Sequence, residues 1–174
     1  MIKLAQGEYV AMEKVEDTYS KAACVCQIWA YGNSYKPMLV AVVVPNAVPT
    51  YDYAISKGYW KASDLPAPNP AGLTPAFIAA FKELYNGPHK ADMTEWVMGQ
   101  LKATEGLLLG FEKIKKIYIE TDITDLNTAF TEENDLMTPT MKKKRKPLAE
   151  KYIEVLKQMY TDLGERPMEG ETFY

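Results

Sequence analysis

The chain has 174 residues, with 20 Lys plus Arg against 23 Asp plus Glu and a net charge of −3. With 47% hydrophobic and 25% charged residues, its composition is that of a globular domain able to bury about two-thirds of its unfolded surface. No apolar run approaches the roughly 20 residues of a membrane span. No basic region followed by an apolar core marks a targeting segment, and basic clusters are confined to one place, unlike a nucleic-acid-binding face. Cys24 and Cys26 lie two apart in a strand-like run and point the same way, so no mutual disulfide is expected. With a single histidine they build no zinc site, and the expected compartment is reducing and intracellular.

Residues 2–10 read as two short extended pieces hinged at Gln6, Gly7 and Glu8. The chain opens inside a strand-like pattern, as if cut from something longer. Met12, Val15, Glu16 and Tyr19 trace one side of a helix ending near Ala22. Residues 24–31 and 38–44 form the clearest hairpin. Val40, Ala41, Val42, Val43 and Val44 are all apolar, which predicts a strand covered on both faces. Pro45 ends it, and Asn46 caps a helix reaching about Lys57, with Gly58 as terminator.

Pro66, Pro68, Pro70 and Pro75 break regular structure over residues 59–75. A helix begins at Thr74-Pro75 with Phe77, Ile78, Phe81, Leu84 and Tyr85 on one side. A second, over about residues 90–105, buries Met93, Trp96, Val97 and Leu101. His89, in the turn between them, has no catalytic partner in view. Residues 114–120 predict a strand with Ile117 and Ile119 inward. The tail after Gly164 is expected to be flexible. The elements sum to an α+β fold: a small, mainly antiparallel sheet from the short N-terminal pair, the central hairpin and a third strand, packed with helices and closed by a C-terminal amphipathic helix.

That last helix carries Leu148, Tyr152, Val155, Leu156, Met159, Tyr160 and Leu163 as one stripe, with Pro147 in its first turn. Immediately before it stand Lys142, Lys143, Lys144, Arg145 and Lys146, after the stiff turn Thr138-Pro139-Thr140. Cations there oppose the helix dipole by some tenths of a kcal/mol each. A solvated face, a polyanion-binding or nuclear-import patch, and a cluster aimed at one incoming anion all remain readings of this run. The acids Glu132, Glu133 and Asp135 just upstream weigh against phosphate-rich polymers.

Two segments resemble one family. Residues 2–16, IKLAQGEYVAMEKVE, are similar to the segment after the domain hinge of AMP-forming acyl-CoA synthetases of the long-chain fatty-acid type. Residues 134–145, NDLMTPTMKKKR, resemble that family's C-terminal motif of the form TPTFKxKR. The resemblance implies a mobile C-terminal lid domain over residues 1–174, with residues 59–90 an insertion and 165–174 a flexible tail, working against a larger N-terminal adenylation domain that this chain lacks. It implies ATP and CoA as substrates with Mg2+ carried by ATP, a fatty acid as the third reactant, and no nucleic acid. The full enzyme would act in the cytoplasm or at the cytoplasmic face of a membrane, with peripheral association an option; the isolated chain would be inactive. Lys142 falls on the adenylation lysine. Gln6, Gly7 and Glu8 match the loop that enters the active site in the thioester-forming pose. Lys3 aligns with a lysine used in that pose by some relatives, and an exposed strand lysine is its equal alternative. Met12 replaces a usual proline, and Met141 sits where the wider superfamily often has glycine.

Overall fold

In a computed structural model that describes residues 1–173, a short antiparallel pair, β1 (Ile2–Lys3) and β2 (Tyr9–Val10), leads into helix α1 (Met12–Tyr19). Its buried positions are Met12, Val15, Glu16 and Tyr19, the predicted side. The central hairpin follows as β3 (Val25–Tyr31) and β4 (Leu39–Pro45), antiparallel, with Ala30 opposite Ala41. Every residue of β4 is buried, because both neighbouring positions in the sheet are filled and helices close the faces. The third strand, β5 (Ile114–Ile119), pairs parallel to β4 in the order β3-β4-β5. The three-stranded sheet is therefore mixed, with β3–β4 as its antiparallel part, and β1–β2 is a separate antiparallel pair. Ile117 is buried as predicted, while Ile119 near the strand end is only half-buried.

Helix α2 (Ala47–Ser56) starts where expected, with Asn46 at the N-cap position, but the Asn46 side chain makes no capping hydrogen bond. The Asn46 side chain turns back to donate to the Ala23 carbonyl (3.3 Å). Asn127, 80 residues away, accepts the Ala47 amide proton on Oδ1 (2.7 Å) and donates from Nδ2 to the Pro45 carbonyl (2.9 Å). Its backbone sits at φ 67°, a conformation asparagine tolerates better than most residues. Asn127→Ala combines loss of the cap with left-handed strain, each worth about 1 kcal/mol or more, and should destabilise the chain by about 2–3 kcal/mol in urea unfolding. Asn127→Gly, which keeps the backbone geometry, should lose less.

Residues 59–74 carry no helix or strand, and Thr74 Oγ1 then accepts the Phe77 amide (3.1 Å) to open α3 (Pro75–Asn86). It packs on α4 (Lys90–Lys102), with Phe77, Phe81, Leu84 and Tyr85 buried on the first helix and Met93, Val97 and Leu101 on the second. His89 stacks on Tyr59 with ring centroids 3.6 Å apart.

The continuous C-terminal helix predicted from the apolar stripe is two helices, α5 (Arg145–Lys151) and α6 (Ile153–Asp162). Between them Tyr152 takes φ −101°, ψ 17°. Its hydroxyl donates to Glu120 Oε1 (2.5 Å) at the end of β5, and its ring packs among Trp29, Tyr118 and Phe130. The stripe survives the break: Leu148, Tyr152, Leu156, Met159 and Tyr160 are all buried. Residues 165–173, expected to be loose, fold back instead, and Tyr174 lies outside the described residues: the Glu171 side chain is buried against the turn between β3 and β4, and Phe173 stacks on Tyr31 at the end of β3. Both cysteines are free, and among the described residues no helix is long and apolar enough to cross a membrane.

Candidate functional site

The basic run lies on a miniature hairpin. Met137 and Lys143 form an antiparallel bridge, and the Lys144 amide donates to the Leu136 carbonyl (2.9 Å). Inside that frame the Thr138 amide donates to the Lys142 carbonyl (2.7 Å), and the Lys142 amide donates to Thr138 Oγ1 (3.1 Å). Met141 closes the turn at φ 64° with its amide on the Thr138 carbonyl (3.0 Å). That left-handed conformation is one glycine adopts freely and a side chain such as methionine's adopts only under strain. Buried Leu136 and Met137 root the hairpin in the core, and Pro139 stiffens its tip.

The five cations divide sharply. Arg145 grips the carboxylate of Glu16 with both terminal nitrogens (2.7 and 3.2 Å), and Lys143 lies 3.7 Å from the same group. Lys144 pairs with Asp135. Lys142 is exposed and, among the described residues, has no hydrogen-bond or ion-pair partner for its ammonium. Lys146 is also exposed without such a partner, but it belongs to the first turn of α5 rather than to the hairpin tip. A run with three of its five charges bound to local acids makes a poor polyanion surface. It leaves one lysine at the end of a stiff arm.

Glu16 was legible only as a helix position. Its side chain is 3% exposed, and its Oε2 also accepts the Ala30 amide (2.8 Å), so one carboxylate ties α1, β3 and the basic hairpin together. The signal in the sequence was an acid inside an otherwise apolar helical stripe, which cannot be buried unpaired.

At the other end, the hinge between β1 and β2 is closed by the Leu4 amide on the Glu8 carbonyl (2.8 Å) and the Gly7 amide on the Leu4 carbonyl (2.9 Å). Gly7 has φ 96°, and a Cβ built on it would meet nothing within 4 Å, so the tip stands clear of the domain. Gln6 Nε2 donates to the Pro37 carbonyl (3.1 Å). Lys3 is exposed with its ammonium 5.9 Å from the centroid of the cross-strand Tyr9 ring. No hydrogen bond or ion pair among the described residues links Lys142 to Lys3, Gln6, Gly7 or Glu8. The structure presents them as two separate features. No group of three or more His, Cys, Asp or Glu is placed to hold a metal among the described residues.

Comparison with known proteins shows what the chain is similar to. No family model matches the chain. Fatty acyl-CoA synthetase A of Dictyostelium discoideum is 36% identical over 162 residues, covering 93% of this chain and 21% of its own length. Long chain acyl-CoA synthetase 2 of Arabidopsis thaliana is 35% identical over 164 residues, with 93% and 21% covered. The chain is a homologue of part of the long-chain acyl-CoA synthetases. It spans about a fifth of the length of these relatives. Among solved structures, the adenylation and carrier didomain of a carboxylic acid reductase from Segniliparus rugosus, in complex with AMP, superposes with a TM-score of 0.62 at 26% identity, covering 94% of this chain and 18% of that one. The adenylation domain of a carboxylate reductase from Mycobacterium chelonae gives 0.53 at 29% identity, with 92% and 19% covered. The α+β architecture described above is thus a part of the adenylate-forming fold, and the acyl-CoA synthetase homology extends over nearly all of it.

Proposed function

We infer that this chain is the C-terminal lid of a long-chain fatty acid–CoA ligase, with residues 59–90 an insertion, and that Lys142 is its adenylation lysine. The observation that carries the reading is the division of the basic run: three cations are held by acids of their own domain, while Lys142 is exposed at a hairpin tip without a partner among the described residues. In the first half-reaction a carboxylate oxygen of the fatty acid attacks the α-phosphorus of ATP, and the bond to pyrophosphate breaks with its electron pair leaving on that group. Negative charge gathers between the incoming carboxylate and the bridging oxygen. An ammonium about 4 Å away in a partly screened site is worth about 4 kcal/mol there, or several hundredfold in rate. Lysine suits the task as a compact point charge.

In the second half-reaction the sulfur of CoA attacks the acyl carbonyl carbon and AMP leaves. Gln6, Gly7 and Glu8 would then face the pantetheine path, where the projecting glycine allows close backbone approach, and Lys3 would lie beside them. Mg2+ enters with ATP, held by residues of the N-terminal adenylation domain. The isolated chain, lacking that domain, would be inactive. The test is fatty-acid-dependent ATP–pyrophosphate exchange by a full-length protein containing this chain. Exchange that rises with long-chain acids supports the reading, and absence of exchange across the acid series overturns it.

A further inference from the structure

The nine described residues after Gly164 make a set of polar contacts that a trailing end does not need. Glu171 and Lys36 are almost wholly buried, their side chains 2% and 1% exposed, with Lys36 Nζ 2.9 Å from Glu171 Oε1. The same ammonium donates to the Arg166 carbonyl (2.7 Å), while Glu171 also accepts from Asn33 Nδ2 (2.9 Å) and the Met168 amide (3.1 Å). Tyr35 donates its hydroxyl to the Gly170 carbonyl (3.2 Å), and Phe173 stacks on Tyr31 with centroids 5.9 Å apart. Burying two charges costs about as much as their attraction returns, so such a pair fixes position more than it adds stability.

The position it fixes is that of the turn joining β3 to β4, and this turn supports the N-terminal hairpin. The Lys36 carbonyl accepts the Ala5 amide (3.1 Å), and the next carbonyl, Pro37, accepts the Gln6 side chain (3.1 Å). Gly32, at the start of the turn, leaves room for Ile2 of β1 and for Leu4 just after it: a Cβ there would lie 2.8 Å from Ile2 Cδ1 and 3.3 Å from Leu4 Cδ2. A continuous path of contacts thus runs from the tail through Lys36 to the loop at Gln6, Gly7 and Glu8. Lys142 lies off this path, since its hairpin is held by Glu16 and by its own backbone bonds.

We propose that residues 165–173 are a strap that holds the Gln6–Gly7–Glu8 loop in place, with Lys36 and Glu171 as positioning residues for it. The catalytic consequence rests on the role given to that loop above; the strap itself does not. Hydrogen exchange followed by NMR on the 174-residue chain separates the two. Glu171→Gln, or removal of residues 165–174, which lets Lys36 hydrate rather than stranding it, should speed exchange of the Leu4 and Ala5 amides about tenfold or more. The Thr138 and Lys144 amides of the basic hairpin should keep their rates. Unchanged Leu4 and Ala5 rates in either variant overturn the strap, as does a uniform rise at all four amides, which would mark general destabilisation. In the full-length enzyme Glu171→Gln should slow acyl transfer to CoA and leave adenylate formation unchanged. Lost protection at Ala5 with both half-reactions intact would refute the role of the loop and leave the strap standing.

Discussion

Glu16→Ala should cost the 174-residue chain about 3 kcal/mol of stability, and the charge of the lost side chain accounts for the smaller share. Arg145 and Lys143 have side chains 38% and 25% exposed, so water can replace the carboxylate around them and the ion pairs themselves contribute about 1 kcal/mol. The larger losses are the buried Ala30 amide left without an acceptor, at about 1–3 kcal/mol, and the space vacated beneath the basic hairpin. For a chain of this length the sum corresponds to a fall of roughly 6–12 °C in Tm. Glu16→Gln keeps an oxygen for Ala30 and most of the volume, and should lose about 1 kcal/mol. Urea unfolding of both variants checks the ordering. A Glu16→Ala value within 1 kcal/mol of the parent would show that the carboxylate is not the tie described.

The same geometry explains why most of the fold was visible in the sequence and part of the site was not. Local signals were sufficient for the hairpin, for α1 and for α3, because continuous apolar runs, a Thr-Pro start and a buried stripe each act within a few residues. The parallel placement of β5 needed the connection through α2, α3 and α4 to be seen in space. Asn46 was legible as the N-cap position of α2, but nothing local marks Asn127, 80 residues beyond Ala47, as the side chain that accepts the first amide. The break at Tyr152 comes from a hydrogen bond to Glu120, also distant in sequence. For the basic run, composition shows five equal cations; only the fold distinguishes the three that Glu16 and Asp135 engage from Lys142 at the turn. The tail looked flexible because a buried Glu–Lys pair 135 residues apart leaves no periodic trace.

Lys142→Ala in a full-length enzyme carries the largest effect foreseen here on activity. Loss of an ammonium that interacts with developing negative charge should lower the rate of adenylate formation several hundredfold, equivalent to about 4 kcal/mol. Stability should change little, since the side chain is exposed and makes no ion pair within the described chain. Lys142→Arg should recover only part of the rate. Its charge is spread over a planar fork, and the hairpin tip cannot shorten to suit it.

The most direct measurement takes full-length parent and Lys142→Ala proteins through each half-reaction separately: pyrophosphate exchange for the first, and acyl transfer to CoA from supplied acyl-adenylate for the second. The lid reading predicts exchange reduced several hundredfold with transfer within about twofold of the parent. Equal loss in both half-reactions, or exchange left intact, would contradict it.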